Sequence, residues 1–300
     1  MPNVVTTLRS AANRYAPPAR AGAVVACVIY VVALATSLVP LGVDAHSYWT
    51  SNPLQPYNGL PMFAQDAYFY SPAFTQALGP LHALPWPIFA GVWSAVLCVV
   101  LYGLAGRWFG FVLLIPFIAI EIAMGNIHIL LAAAIALGFR YPVLWSFLIL
   151  TKVTPGVGLL WFFVRREWRA LGQAIAATTA IAGISFLVAP HLWNDWIETL
   201  KATYAQSVPQ PLPLGVIPIP GRLVIAAGIV MYGARTDRRW LVPIAAVIAI
   251  PVMYVNSLTI LVAVPFLWSA RDERLPRFLG RRRPVVADGA LAPVEAGATL

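Results

Sequence analysis

Charge is what this sequence has least of. Of 300 residues only 10% are Asp, Glu, Lys or Arg, while 60% are hydrophobic. A soluble domain carries roughly 25% charged residues. This chain therefore lacks the polar surface that a water-facing globule needs, and a bilayer is the solvent that suits it. Cysteine is scarce too. Cys27 and Cys98 each lie inside an apolar run and neither belongs to a C-x-x-C pair, which argues against zinc or thiol-redox chemistry. A Walker A loop, a G-x-G-x-x-G turn and a D-x-D pair are all missing, so a nucleotide-dependent reaction has no support. No two histidines stand at metal-ligand spacing, and neither a metal nor another cofactor is expected. Neither a 20–50-residue repeat nor a clear inverted repeat is visible.

The charge that is present has a pattern. The net charge is +9, and the arginines fall in short clusters between apolar runs: Arg9, Arg14 and Arg20; Arg165, Arg166 and Arg169; Arg235, Arg238 and Arg239; and the stretch from Arg271 to Arg283. This is the signature of cytoplasmic loops rather than of a nucleic-acid surface, so membrane lipids and not nucleic acid are the expected partners. From Ala21 through Gly106 there is no Lys or Arg. A basic N-terminus (1–20), a first span over Ala21–Leu41 and a base-free loop over 42–85 predict an inside N-terminus and an outside loop. The apolar run is too long for a signal peptide, and further spans follow.

A second span is predicted over Trp86–Ala105. The apolar stretch Trp108–Val164 is broken at Gly125-Asn126, at Arg140-Tyr141-Pro142 and at Lys152-Val153-Thr154-Pro155. It yields four segments of about 12 to 17 residues, short against the ~20 that a crossing takes. Breaks at membrane depth are tolerated only when buried in protein or lining a wet cavity. Span seven is predicted over Ala170–Ala189, a second outer loop over 190–221 with an interfacial helix around Trp193, Asp195 and Trp196, and three spans over Arg222–Ala234, Trp240–Tyr254 and Ser257–Trp268. The expected architecture is an all-α polytopic bundle of about ten membrane segments, with a membrane domain over 21–270 and a basic, cytoplasmic, partly disordered tail over 271–300.

Few residues within this apolar background can carry chemistry. Asp44, just past the first span, suits a general base at the outer surface, and equally an ordinary solvated loop acid. Lys152 is an ionisable group in an apolar stretch without a neighbouring acid. It reads either as a phosphate ligand or as a lysine snorkelling to an interface. Arg222 is a weaker candidate for an anionic head group, with an interfacial anchor as the plainer reading. Glu121 and His128 flank the Gly125-Asn126 break, facing a shared cavity or forming a structural polar cluster between helices. Tyr68-Phe69-Tyr70-Ser71-Pro72 and Pro85-Trp86-Pro87 give an aromatic approach to the second span, either an interface belt or a stacking surface for sugar rings.

The order of these features resembles the polyprenyl-phosphate-dependent membrane glycosyltransferases of the GT-C fold, and more narrowly glycosyltransferase family 87 (GT87). The residues carrying the resemblance are Asp44 with Tyr48, Tyr70-Ser71-Pro72, the Gly125-Asn126 break, Lys152-x-x-Pro155 and Arg165-Arg166-Glu167-Trp168-Arg169. Where the family often has Gly-Gln-x-Asn, this chain has Gly125-Asn126-Ile127-His128. The resemblance implies a mannosyltransferase of the cell membrane. It would move mannose from a polyprenyl-phosphate donor to a lipid-linked glycan acceptor on the extracytoplasmic side, with inversion. It further implies Asp44 as base, Lys152 and Arg222 toward the donor phosphate, and Tyr48, Tyr70, Asn126 and His128 as sugar or acceptor contacts. Two other readings stay open: a lipid or solute transporter or flippase, and a catalytically degenerate membrane scaffold.

Overall fold

A computed structural model describes residues 4–37, 41–61, 64–205 and 213–269. The expected tail over 271–300 and part of the proline-rich return at 209–220 lie outside these residues. The described chain is helical throughout, and its one β-type contact is an isolated bridge between Asn52 and Gln55. In chain order the helices are α1 (Val4–Ala35), α2 (Val43–Thr50), α3 (Pro72–Leu78), α4 (Trp86–Ala105), α5 (Phe109–Leu113), α6 (Pro116–Met124), α7 (His128–Gly138), α8 (Trp145–Thr151), α9 (Leu160–Val164), α10 (Trp168–Val188), α11 (His191–Ala205), α12 (Ile219–Arg235), α13 (Leu241–Ala249) and α14 (Ala263–Ser269). A 3-10 segment, Thr154–Leu159, leads into α9, and another, Val255–Val262, leads into α14.

α1 runs through Pro17 and Pro18 into the first predicted span as one helix. A count of about ten spans is not reached. Among the described residues three helical stretches are long and apolar enough to cross a membrane: Ser10–Ala35, Trp86–Leu113 and Trp168–Val188. A fourth is counted if α6 and α7, bent by 108° at their junction, are taken together. The other apolar helices, among them 142–151, 154–164 and 255–268, are too short to meet that measure.

The bundle has two chemically distinct ends. α1 and α4 run antiparallel. Ala35 meets Gly91 near the start of α4, and Ala19 packs so closely on Gly110 beyond its end that a Cβ there would lie 2.3 Å from the Ala19 backbone. At that second end Arg107 donates to Asn13 (2.8 Å) and Arg20 lies over the Tyr102 ring (4.4 Å). Arg165 joins the same kind of surface, bonded to Glu167, to Asp237 and to the Ala234 carbonyl at the close of α12. The opposite end holds the 42–85 loop, and α11 reaches it through Trp196 Nε1, which donates to the Phe69 carbonyl (3.1 Å). Arginine clusters thus gather at one end and the base-free loop at the other, as the positive-inside rule requires of a membrane bundle.

The core is aliphatic and aromatic. Leu97, Leu101, Ile118, Ile129, Leu131, Ile135, Trp145, Trp161 and Phe162 are fully buried. Small residues permit the closest approaches: a Cβ on Gly158 would fall 2.2 Å from the Trp145 ring. Close packing of this kind, rather than water exclusion, is what holds helices together in lipid.

Candidate active site

The site is built where α2 is clamped onto the α6–α7 break. Gly125 ends α6 in the left-handed region (φ 71°), a conformation that costs glycine little and other residues more. A Cβ at Gly125 would stand 2.6 Å from the Ala45 Cβ, so only glycine lets α2 come this close. Three bonds fix the join. The Gly42 N–H donates to the Ala123 carbonyl (2.9 Å), Trp93 Nε1 donates to the Gly125 carbonyl (2.7 Å), and Asn126 Nδ2 donates to Asp44 Oδ2 (2.7 Å). The Asn126 Oδ1 in turn accepts from the Ile127 N–H (2.7 Å), which orients the amide so that its NH2 faces the carboxylate.

Asp44 is half-buried. Burial raises its pKa above the ordinary carboxylate range, while the Asn126 hydrogen bond and then the Lys152 charge pull it back down. Lys152 is therefore near enough to act on Asp44 electrostatically. It follows α8 at the chain break before the 3-10 segment, is half-buried, and its ammonium lies 5.8 Å from the centroid of the Tyr70 ring. Lys152 makes no ion pair among the described residues. Tyr70 shares a hydroxyl–hydroxyl bond with Tyr48 (3.0 Å), and both pack with Phe74. Burial holds both phenols well above their ordinary pKa, so they remain neutral hydrogen-bonding groups.

Behind the break lies a second polar layer. Glu121 and His128 are both fully buried. The Glu121 carboxylate accepts from the His128 backbone N–H (2.6 Å) and from Asn256 Nδ2 (2.9 Å), and pairs with His128 Nδ1 (2.9 Å). The other ring nitrogen of His128 faces Ser257 Oγ at 3.4 Å. With no exposed surface and protein at both ring nitrogens, His128 braces the break from behind.

Arg222 is held at the end of α13. Its guanidinium is buried and donates to the Ile250 and Pro251 carbonyls (2.6 Å each) at the C-terminal end of α13. Cations at helix C-termini are favourable, and this one secures the turn that delivers Asn256 and Ser257 to Glu121. Its contacts are with α13, not with Asp44 or Lys152.

The structure thus draws Asp44, Asn126, Tyr48, Tyr70 and Lys152 together from residues 44 to 152. It adds Asn256 and Ser257, which the sequence reading had not singled out. The only local signal for these residues was the pair of polar side chains at 256 and 257 inside an apolar run.

Comparison with known proteins now bears on this arrangement. The sequence profile of glycosyltransferase family 87 matches residues 68–281. The chain belongs to glycosyltransferase family 87. No curated protein and no solved structure matches it. Family 87 membership makes the protein a membrane glycosyltransferase, with a sugar donor and an acceptor as substrates. The matched stretch contains Tyr70, Asn126, His128, Lys152 and Arg222 but begins after Asp44 and Tyr48. Those two residues are joined to the family 87 region by the Asn126–Asp44 and Tyr48–Tyr70 hydrogen bonds.

Proposed function

We propose that this glycosyltransferase moves mannose from a polyprenyl-phosphate donor to a hydroxyl of a lipid-linked glycan, with Asp44 as general base and inversion at the anomeric carbon. The observation carrying this reading is that a half-buried carboxylate, Asp44, and a half-buried ammonium, Lys152, join one polar cluster through Asn126, Tyr48 and Tyr70 without forming an ion pair, at the end of the bundle that holds the base-free loop. In the proposed step the acceptor oxygen forms a bond to the anomeric carbon on the face opposite the lipid phosphate, and its proton passes to Asp44. The anomeric carbon–oxygen bond breaks toward the phosphate, and Lys152 stabilises the negative charge that develops there. The leaving group is a monophosphate, so a single ammonium has less charge to balance than a diphosphate would bring. Tyr48, Tyr70 and Asn126 orient the sugar and the carboxylate. Under the positive-inside rule the Asp44 end faces the extracytoplasmic side of the cell membrane.

Lys152→Ala tests the donor half of this step. The expected result in membranes supplied with labelled polyprenyl-phosphate-mannose is a fall in kcat/KM for donor of about a hundredfold or more, the scale of losing one transition-state charge contact. Lys152→Arg should recover part of it. Unchanged donor dependence in Lys152→Ala would remove the phosphate role.

The pH dependence tests the base. The raised Asp44 pKa means that the base form is lost, on acidification, at a higher pH than an ordinary carboxylate near 3.9 would give. The acid limb of kcat/KM should therefore have its midpoint above that value. Asn126→Ala, which removes a contact that lowers the pKa, should move the limb further upward. A limb at or below the ordinary carboxylate value would contradict the assignment.

A further inference from the structure

At the end of the bundle opposite Asp44, an open cavity of about 540 Å³ is lined by Arg140, Arg166, Glu167, Trp168, Arg169 and Gln173. We propose that it binds the phosphate of an anionic lipid headgroup, with an acyl chain lying along α10.

The charge is uncompensated. Arg140, Arg166 and Arg169 are all exposed, and none makes an ion pair among the described residues. The one acid on the wall, Glu167, is engaged by Arg165 Nε (2.8 Å). Arg140 comes from the turn after α7, while Arg166 and Arg169 come from the turn into α10, so three guanidinium groups from two separate segments meet at one hollow. Guanidinium forks match phosphate oxygens in pairs, which ammonium groups do not.

A lipid, rather than a free anion, is favoured by what adjoins the cavity. α10 begins at its rim with Trp168, 55% exposed, an amphipathic ring of the type that settles at headgroup depth. From there α10 presents Ile175, Ile181, Ile184 and Leu187 outward, at 50%, 43%, 66% and 81% exposure. These residues stand all round α10, so hydrocarbon surface begins where the basic hollow ends, which fits a molecule whose headgroup is anionic and whose tail is hydrocarbon. Basic hollows beside membrane helices recognise phosphate-bearing lipids on this principle.

The experiment uses the full chain, purified and delipidated in detergent. Retained lipid is read by native mass spectrometry, and the thermal midpoint is read on adding phosphatidylglycerol, phosphatidylcholine or inorganic phosphate. Phosphatidylglycerol should bind at least tenfold more tightly than phosphatidylcholine and raise the midpoint, whereas millimolar inorganic phosphate should neither raise it nor displace the lipid. The triple variant Arg140→Gln, Arg166→Gln, Arg169→Gln should bind the two lipids within about threefold of each other, since each basic group near an anionic headgroup contributes a factor of about five. The variant Arg14→Gln, Arg20→Gln, Arg107→Gln removes equal charge from the same end and should keep the preference within about threefold. Equal loss in both variants would reduce the effect to general charge. Equal binding of the two lipids by the unaltered chain, a result that needs no variant to fold, or displacement by inorganic phosphate, would likewise overturn the proposal.

Discussion

Asp44→Asn should abolish transfer almost completely while leaving the fold in place. The substitution is isosteric, and the new side-chain carbonyl can still accept the Asn126 amide that now bonds Asp44 Oδ2 at 2.7 Å. Neither the Gly42–Ala123 bond at the start of α2 nor the Trp93 bond that ties α4 to the break involves the carboxylate. What is lost is the capacity to take a proton from the acceptor hydroxyl, and general-base contributions are typically 10²–10⁴-fold. The expected outcome is a fall in kcat of that size, with donor binding little changed. The measurement is transfer of labelled sugar in membranes, normalised to folded protein. Asp44→Asn at wild-type rate would dismiss Asp44 as base without touching the family membership, which rests on residues 68–281.

The second large effect concerns stability. Glu121→Ala removes an acceptor that serves the His128 backbone N–H, His128 Nδ1 and Asn256 Nδ2, all in a region without solvent access. Each buried donor left without a partner costs about 1–3 kcal/mol, and breaking a buried pair by deleting one member costs about 3–5 kcal/mol. A loss of about 3–5 kcal/mol is expected, read as a drop on the order of 10 °C in the thermal midpoint of the detergent-solubilised protein. Glu121→Gln keeps one carbonyl acceptor and should lose less. A Glu121→Ala protein as stable as the parent would show that this layer is not structural. Activity would then be the readout to pursue.

How much of this was legible beforehand depends on the scale of the signal. α4 over Trp86–Ala105 was read to the residue, because a long uniform apolar run ending at a glycine and an arginine has few other interpretations. The Gly125-Asn126 break was legible as well, since glycine and a polar amide inside such a run can only interrupt it. The number of membrane crossings was not. Apolar composition reports only that a segment avoids water, not whether lipid or protein covers it, and the segments between Pro116 and Val164 pack largely against α10, α12, α13 and the 255–262 segment. Spacing along the chain could not reveal that Asp44 would meet Asn126 across 82 residues, or that Glu121 would meet Asn256 across 135. Nor could the sequence show the protein partners of His128 and Arg222: a polar residue in an apolar stretch points to a partner without saying whether that partner is a ligand or the protein's own groups.

The 135 residues separating Glu121 from Asn256 also bear on how the protein is made. While the chain emerges from the ribosome, Glu121 and His128 enter the membrane well before Asn256 and Ser257 exist. For that interval each has only the other, and water or the insertion machinery must supply what Asn256 later provides. Among the described residues, the polar layer behind the Gly125-Asn126 break is therefore completed late, by the segment Val255–Val262.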